Sequence, residues 1–302
     1  MNVTRGAKRP FTATASATAL AAIIGLSLSS CSPANEQNAT EQDATEENVA
    51  APAATEQTAG TQDDVTAQNA KARLKAMSDY LAAQKAISLG YDTVFEVVSK
   101  EGQKLQLATS GTIVLNRPDK IRTTRQSGFA DTEMVFDGKT LSILGKGENA
   151  YVQAEVPGTT DNLIDQLRDR FQRQIPGADL LLQNVYDALM TDVTDVKDLG
   201  SGVIGGTECD HFAFRAKETD WQIWIAQGAN PYPCRYVITS KDVERDPQFT
   251  MVVRDWKAGS AVGAGDYAFK PPAGSRRLDA KDLQALKETS DLPENYRIGD
   301  AK

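Results

Sequence analysis

The sequence predicts an α+β fold in which helices pack on one side of a curved antiparallel sheet. Three observations carry that expectation. Apolar residues recur at three- and four-residue spacing before residue 84, switch to a period of two from Ile87, and return to helical spacing between Leu163 and Leu189 before strands resume.

Ala70, Leu74, Met77 and Leu81 share one helical face, so residues 65–83 read as an amphipathic helix with Asp64 or Thr66 as its N-cap. Ile87, Leu89, Tyr91, Thr93, Phe95 and Val97 then alternate, Glu101-Gly102 marks a turn, and residues 105–115 supply an antiparallel partner. Asp137-Gly138 stands between Met134-Val135-Phe136 and Leu141-Ser142-Ile143, a hairpin signal pointing to a type I′ turn with positive φ at both central positions. Residues 145–149 form a further turn before a strand at 151–156, which makes this part of the sheet a meander. Leu163, Ile164, Leu167 and Phe171 define one helical face and Leu181, Val185, Ala188 and Leu189 another, with Pro176-Gly177 between them. After Asp195 the strand pattern returns at 207–215, 220–226, 232–239 and 249–256.

A sheet wet on one face alternates apolar and polar residues. Phe212-Ala213-Phe214, Ile223-Trp224-Ile225 and Tyr236-Val237-Ile238 are apolar on both faces. One face meets the helices; for the other, two coverings fit. Either it lines a cavity suited to an apolar ligand, with Phe212, Phe214, Trp224 and Ile225 as candidate contacts, or loops and the rest of the sheet fill it.

The 302 residues include 33 basic and 41 acidic ones, a formal net charge of −8 that argues against a nucleic-acid partner. Eight of the acidic residues lie between Ser32 and Ala70, a stretch without Lys or Arg. Removing them, and the three cations Arg5, Lys8 and Arg9, leaves 30 basic and 33 acidic residues for the folded part, which is nearly neutral. The acidic stretch is poor in large apolar residues and reads as a flexible tether. At about 38 residues its root-mean-square span is roughly 35 Å.

Arg5, Lys8 and Arg9 precede a short apolar core at 19–28, the layout of a secretory signal peptide too short to span a bilayer. Leu28-Ser29-Ser30-Cys31 closes it and looks like the lipobox of bacterial lipoproteins, a resemblance that implies acylation of the Cys31 thiol. The expected organisation is a signal peptide at 1–30, a lipid-anchored linker at 31–65, one domain at 66–275 and a tail at 276–302. In an exported chain the two remaining cysteines, Cys209 and Cys234, read as a structural disulfide. A redox pair is disfavoured because the Cys-x-x-Cys spacing is absent.

Other motifs fail on context. Gly200-Ser201-Gly202-Val203-Ile204-Gly205 matches G-x-G-x-x-G, but a strand follows rather than a helix whose N-terminus would hold phosphate, so the run reads as a glycine-rich turn. His211 is the sole histidine, which excludes multi-histidine zinc sites, and no Gly-x-Ser-x-Gly elbow accompanies it. No catalytic residue, cofactor or metal is expected. Arg117, Arg122 and Arg125 read as a solvated hairpin edge, with a functional alternative for Arg117. At a cavity rim its five-donor fork would hold an anionic headgroup or close the cavity by bonding backbone carbonyls.

Gly111-Thr112-Ile113-Val114-Leu115-Asn116-Arg117-Pro118, Phe136-Asp137-Gly138-Lys139-Thr140-Leu141 and Tyr267-Ala268-Phe269-Lys270-Pro271-Pro272-Ala273-Gly274 resemble, in the same order, segments of LolA-like lipoprotein carriers. Cys209-Asp210-His211, Asp220-Trp221-Gln222-Ile223-Trp224 and Tyr232-Pro233-Cys234-Arg235 are more similar to a group of predicted periplasmic proteins of unknown function sharing that fold. The resemblance, spanning residues 66–274, implies an incomplete β-barrel with helices as a lid over an acyl-chain cavity. It implies a gating role for Arg117, while Ile121 stands where the carriers have an aromatic. The expectation is a non-enzymatic lipoprotein on the periplasmic face of the outer membrane, favoured because Ser32 is not the aspartate of inner-membrane retention. Its partners are a lipid or acyl-chain ligand, the membrane through its anchor, and alternatively an envelope protein for which it acts as a sensor. A hydrolase using His211 with Asp210 or Asp220 is the remaining alternative.

Overall fold

Helix α1, Ala59–Ala83, forms where the three- and four-residue spacing predicts it, and Ala70, Leu74, Met77 and Leu81 are each at most 1% exposed on its packed face. It begins before Asp64 and Thr66, so neither residue is its N-cap. The computed structural model describes residues 59–171, 173, 175–279, 289 and 292. All lie in Glu56–Lys302, the second of two units into which the chain divides, the first being Met1–Thr55. The signal, Cys31, residues 32–58 of the linker and residues 280–287 lie outside the described residues.

Among the described residues, twelve strands form one open sheet: β1 (Ala86–Val98), β2 (Lys104–Asn116), β3 (Lys120–Ser127), β4 (Asp131–Phe136), β5 (Thr140–Gly145), β6 (Ala150–Glu155), β7 (Asp195–Ile204), β8 (Thr207–Arg215), β9 (Thr219–Ala226), β10 (Pro233–Ser240), β11 (Gln248–Ala258) and β12 (Arg276–Arg277). Their order is β12-β6-β5-β4-β3-β2-β1-β11-β10-β9-β8-β7. Two antiparallel meanders, β1–β6 and β7–β11, therefore meet where β1 pairs with β11. Only β12 is parallel, pairing with the edge of β6. The connection between the meanders holds α2 (Thr160–Asp169), a 3₁₀ turn (Ala178–Leu181) and α3 (Val185–Met190). These pieces, with α1, pack on one face of the sheet, hereafter the inner face, and share its apolar core.

Three local expectations are corrected. In the β4–β5 hairpin only Gly138 takes a positive φ, 94°, at the first central position of the Asp137–Thr140 turn, where a II′ turn places its glycine. The Asp137 carboxylate accepts from the backbone N–H groups of Lys139 and Thr140, at 2.9 and 2.8 Å, so side-chain chemistry replaces a second left-handed residue. The run from Gly200 to Ile204 belongs to edge strand β7, and the turn falls on Gly205 and Gly206, both with positive φ. Arg122 and Arg125 lie within a strand paired on both sides, not at a hairpin edge: β3 bonds β2 and β4. Arg122 pairs with Glu133 on the outer face at 2.5 Å.

One close approach fixes the centre of the sheet. Tyr91 stands opposite Gly111 in the β1–β2 register and donates from its hydroxyl to the Thr124 carbonyl on β3, 2.9 Å away, its ring lying over Gly111. A Cβ on Gly111 would overlap both that ring and the Thr124 oxygen. We expect Gly111→Ala to cost about 1–3 kcal/mol through overpacking, read as a lower denaturant midpoint with unchanged slope. An unchanged midpoint would show that Tyr91 swings aside freely.

Candidate functional site

The inner face is filled in one sector and hollow in another. Toward α1, Phe214 stacks on Trp221 with centroids 3.9 Å apart, Tyr236 meets Trp221 edge-on, and Phe212, Ile223 and Ile225 are at most 3% exposed. Arg73 of α1 reaches this sector, donating to Asp210 at 2.7 Å and to the Ala226 carbonyl. Across β1–β5 and β11 the face borders a cavity of about 510 Å³, roofed by α2 and by the strap that follows it. A second hollow of about 690 Å³ adjoins it and shares Phe95, Ile164, Leu167, Ile175 and Phe249. Both volumes suit small-molecule sites, which run to ~300–1,000 Å³.

Strand alternation builds the floor of the inner cavity. Ile87, Leu89, Ile113, Ile121, Met134 and Ile143 point inward from β1 to β5, while Leu163, Ile164 and Leu167 close it from α2 at helical spacing. A hydroxyl-bearing group interrupts this apolar wall: Thr93, Thr109, Thr123 and Thr132 line it together with Tyr91 and Arg125. Burial raises the Tyr91 phenol above its usual pKa, and the Arg125 charge opposes that shift. Thr160 is wholly buried at the start of α2, and its hydroxyl has no hydrogen-bond partner among the described residues. Ile175 is 48% exposed and lines both hollows, an apolar side chain shared between cavity and solvent. Two tail residues among those described add to the walls. Thr289, 8% exposed, lines the inner cavity and accepts from the Arg173 guanidinium through its carbonyl, while Leu292 lines the outer hollow.

Of the residues singled out in the sequence, Ile121 lines the cavity and is 2% exposed. Phe212, Phe214 and Ile225 sit in the filled sector, and Trp224 lies on the outer face, so these four do not line it. Outer-face apolarity has a different cause: Cys209 and Cys234 form a disulfide there, packed with Ala226, Ile204, Trp224 and Tyr232. Trp224 also stacks on His211, centroids 3.8 Å apart, and lies under the Arg235 guanidinium.

His211 Nε2 is 3.0 Å from the Gln222 Oε1, and burial holds its pKa below the usual value. Asp210, its chain neighbour, points to the opposite face, where Arg73 holds it; Asp220 pairs with Lys241 at 3.1 Å. Both carboxylates named for hydrolytic chemistry are thus engaged with other groups.

Arg117 stands beside the cavity rather than in its lining. Its guanidinium donates to the Leu182 carbonyl at 3.1 Å, between the 3₁₀ turn and α3. Burial lowers its pKa and the Asp161 charge opposes that. Asp161 of α2 accepts from the Gln183 N–H at 3.0 Å, and the Gln183 side chain donates to the Ala82 carbonyl at the end of α1. The loop between β2 and β3, α2, the approach to α3 and the end of α1 are thereby tied at one corner. The sequence singled out Arg117 but not its partners Asp161 and Leu182, which lie 44 and 65 positions later in the chain. Arg125 was missed as a cavity residue because a charged side chain at an inner position carries no hydrophobic periodicity, while Tyr91 was read as part of the alternating face of β1 without being marked as a cavity residue.

The open sheet carries an apolar, roofed hollow on its inner face, with room for a small molecule. Residues 70–280 match the family model described as "Predicted periplasmic protein (DUF2092)", and the chain belongs to that family. The assignment agrees with the likeness read from Cys209-Asp210-His211 and its companion motifs. No curated protein matches the chain. Among solved structures it is similar to an uncharacterized conserved protein from Thermus thermophilus, at 11% identity over 70% of this chain and 99% of that one, with a TM-score of 0.41. LprF from Mycobacterium bovis matches at 12% identity over 67% and 98% of the two chains, TM-score 0.40. A LolA superfamily protein from Nitrosomonas europaea matches at 9% identity over 64% and 93%, TM-score 0.30.

Proposed function

We propose that this chain is a periplasmic lipoprotein, anchored through Cys31 to the inner leaflet of the outer membrane, that holds an apolar or acylated ligand without transforming it. The observation that carries the reading is the roofed cavity of about 510 Å³, whose floor is built by inward-facing Ile87, Leu89, Ile113, Ile121, Met134 and Ile143. On this reading the sheet is a half-barrel, α2 and the strap are its lid, and the mechanism is reversible burial. Each methylene removed from water contributes about 0.8 kcal/mol, so an acyl chain gains affinity with no reacting group. The acidic linker keeps the domain clear of the membrane surface, within reach of a ligand delivered there.

The Arg117–Leu182 contact is the latch of that lid. Arg117→Leu should speed dissociation of a fluorescent fatty acid roughly tenfold while the melting temperature falls by only a few degrees, because the contact is one half-buried charge-assisted hydrogen bond. Stopped-flow displacement and a thermal melt of the same preparation separate the two effects. A large loss of stability with unchanged dissociation would return Arg117 to a purely structural role.

A further inference from the structure

The two hollows of the inner face meet at the strap that follows α2, and residues from the far end of the chain are seated there. Arg173 of the strap lines both hollows. Its backbone N–H donates to the Leu167 carbonyl near the end of α2, 2.7 Å away, and its guanidinium donates to the Thr289 carbonyl. Thr289 is buried and lines the inner cavity, while Leu292 lines the outer hollow among Phe95, Val97, Leu167, Ile175 and Phe249. Three residues reach about 10 Å at full extension, so Thr289 and Leu292 sit on one short stretch of chain at the junction of the two hollows. Ile175, exposed and common to both, marks that junction as a place where the interior meets solvent.

The junction lies at the end of the cavity away from Arg117. Along β1 the lining runs from Ile87, next to the corner where the Arg117 N–H donates to the Lys85 carbonyl, to Phe95, eight residues and about 26 Å further. The tail that arrives there is tethered: Arg276 and Arg277 pair with β6, and the Leu278 N–H donates to the Tyr151 carbonyl at 2.8 Å. Its docking is therefore intramolecular and draws on the effective concentration that a tether supplies. Under that condition a hydrogen bond from a guanidinium and an apolar side chain in an apolar hollow hold the segment in place.

We propose that the outer hollow is the docking site of the chain's own C-terminal segment, Thr289 to Leu292, and that the docked segment gates passage of ligand between solvent and the inner cavity. The docking stands on the contacts above. The gating rests on the ligand-holding reading and deepens it: the Arg117 corner holds the roof at one end, and the tail closes the other.

Hydrogen exchange of the full chain, read on the peptide that contains Thr289 and Leu292, measures docking; stopped-flow mixing with a fluorescent fatty acid measures passage. In the wild-type chain that peptide should exchange at least about tenfold more slowly than the same sequence as a free synthetic peptide. Leu292→Asp places a charge in an apolar hollow and Arg173→Gln removes the guanidinium, so each should bring exchange close to that of the free peptide, while Leu292→Met should keep the wild-type protection. In Leu292→Asp, association and dissociation of the fatty acid should both quicken roughly fivefold or more, with the equilibrium affinity within about threefold, because a gate changes the rates and not the site behind it. A wild-type tail that exchanges like the free peptide overturns the docking. Protection that appears only as protein concentration rises gives the hollow to the tail of a second copy and overturns the intramolecular assignment. A protected tail with unchanged rates in Leu292→Asp, or a large gain in affinity there, overturns the gating alone. Failure of the wild-type chain to bind fatty acid overturns the ligand-holding reading and the gating with it, while the exchange result still decides the docking.

Discussion

Met134→Trp should abolish most ligand uptake while leaving the protein folded. Met134 points into the inner cavity, opposite Thr123 of β3 and Ile143 of β5, and is only partly buried by protein atoms. An indole there projects into space that the fold leaves unfilled, so the overpacking cost stays at the low end of the usual ~1–3 kcal/mol. Excluding about three methylenes of a bound chain, at about 0.8 kcal/mol each, removes ~2.4 kcal/mol, which is roughly 60-fold in affinity. Fluorescent fatty-acid titration with a parallel thermal melt measures both. An unchanged affinity would mean that ligand occupies the outer hollow or no hollow at all.

Removing the disulfide should do the opposite. Cys209 on β8 and Cys234 on β10 bridge across β9 on the outer face, and neither lines the cavity. Their separation of 25 residues corresponds to roughly 3.5 kcal/mol of loop-closure entropy in the unfolded chain. For a domain of this size that is a fall in melting temperature of about 7–14 °C in the Cys209→Ala/Cys234→Ala double variant. Ligand affinity measured well below the melting point should stay within about twofold of wild type. A large loss of affinity without loss of stability would place the disulfide in control of the cavity. The two variants together separate the stabilising role of the outer face from the ligand-holding role proposed for the inner one.

What was legible in the sequence follows from how each element earns its order. Helix α1 and strands β1, β2 and β8–β11 bury apolar side chains at a fixed period, and the period reads directly. Strand β3, Lys120–Ser127, carries Ile121 as its sole large apolar residue because its remaining inner positions, Thr123 and Arg125, face a cavity rather than a packed core. Strand β7 is an edge strand with Leu199 and Val203 about half or more exposed, so its residues show neither alternation nor a buried run. The candidate site was displaced for a related reason. Apolar residues on both faces of β8 and β9 suggested a cavity, but their outer face serves a disulfide cluster and their inner face a filled sector under α1. The cavity lies where inward positions are mixed, as at Thr93, Thr123 and Arg125, and such mixing resembles an ordinary half-wet strand. Ile121 was accessible only through the likeness to LolA-like carriers, whereas Arg117 was raised first from its five-donor guanidinium as one of three arginines following β2, and the likeness added the gating role.

Native mass spectrometry of the chain exported to an oxidising periplasm, combined with extraction and identification of whatever lipid leaves with it, tests the ligand-holding claim most directly. The account predicts a defined co-purifying amphiphile at near one-to-one occupancy, lost in Met134→Trp. A folded, disulfide-bonded protein that emerges empty and ignores added fatty acid would contradict it, and would transfer the case to the partner-binding sensor.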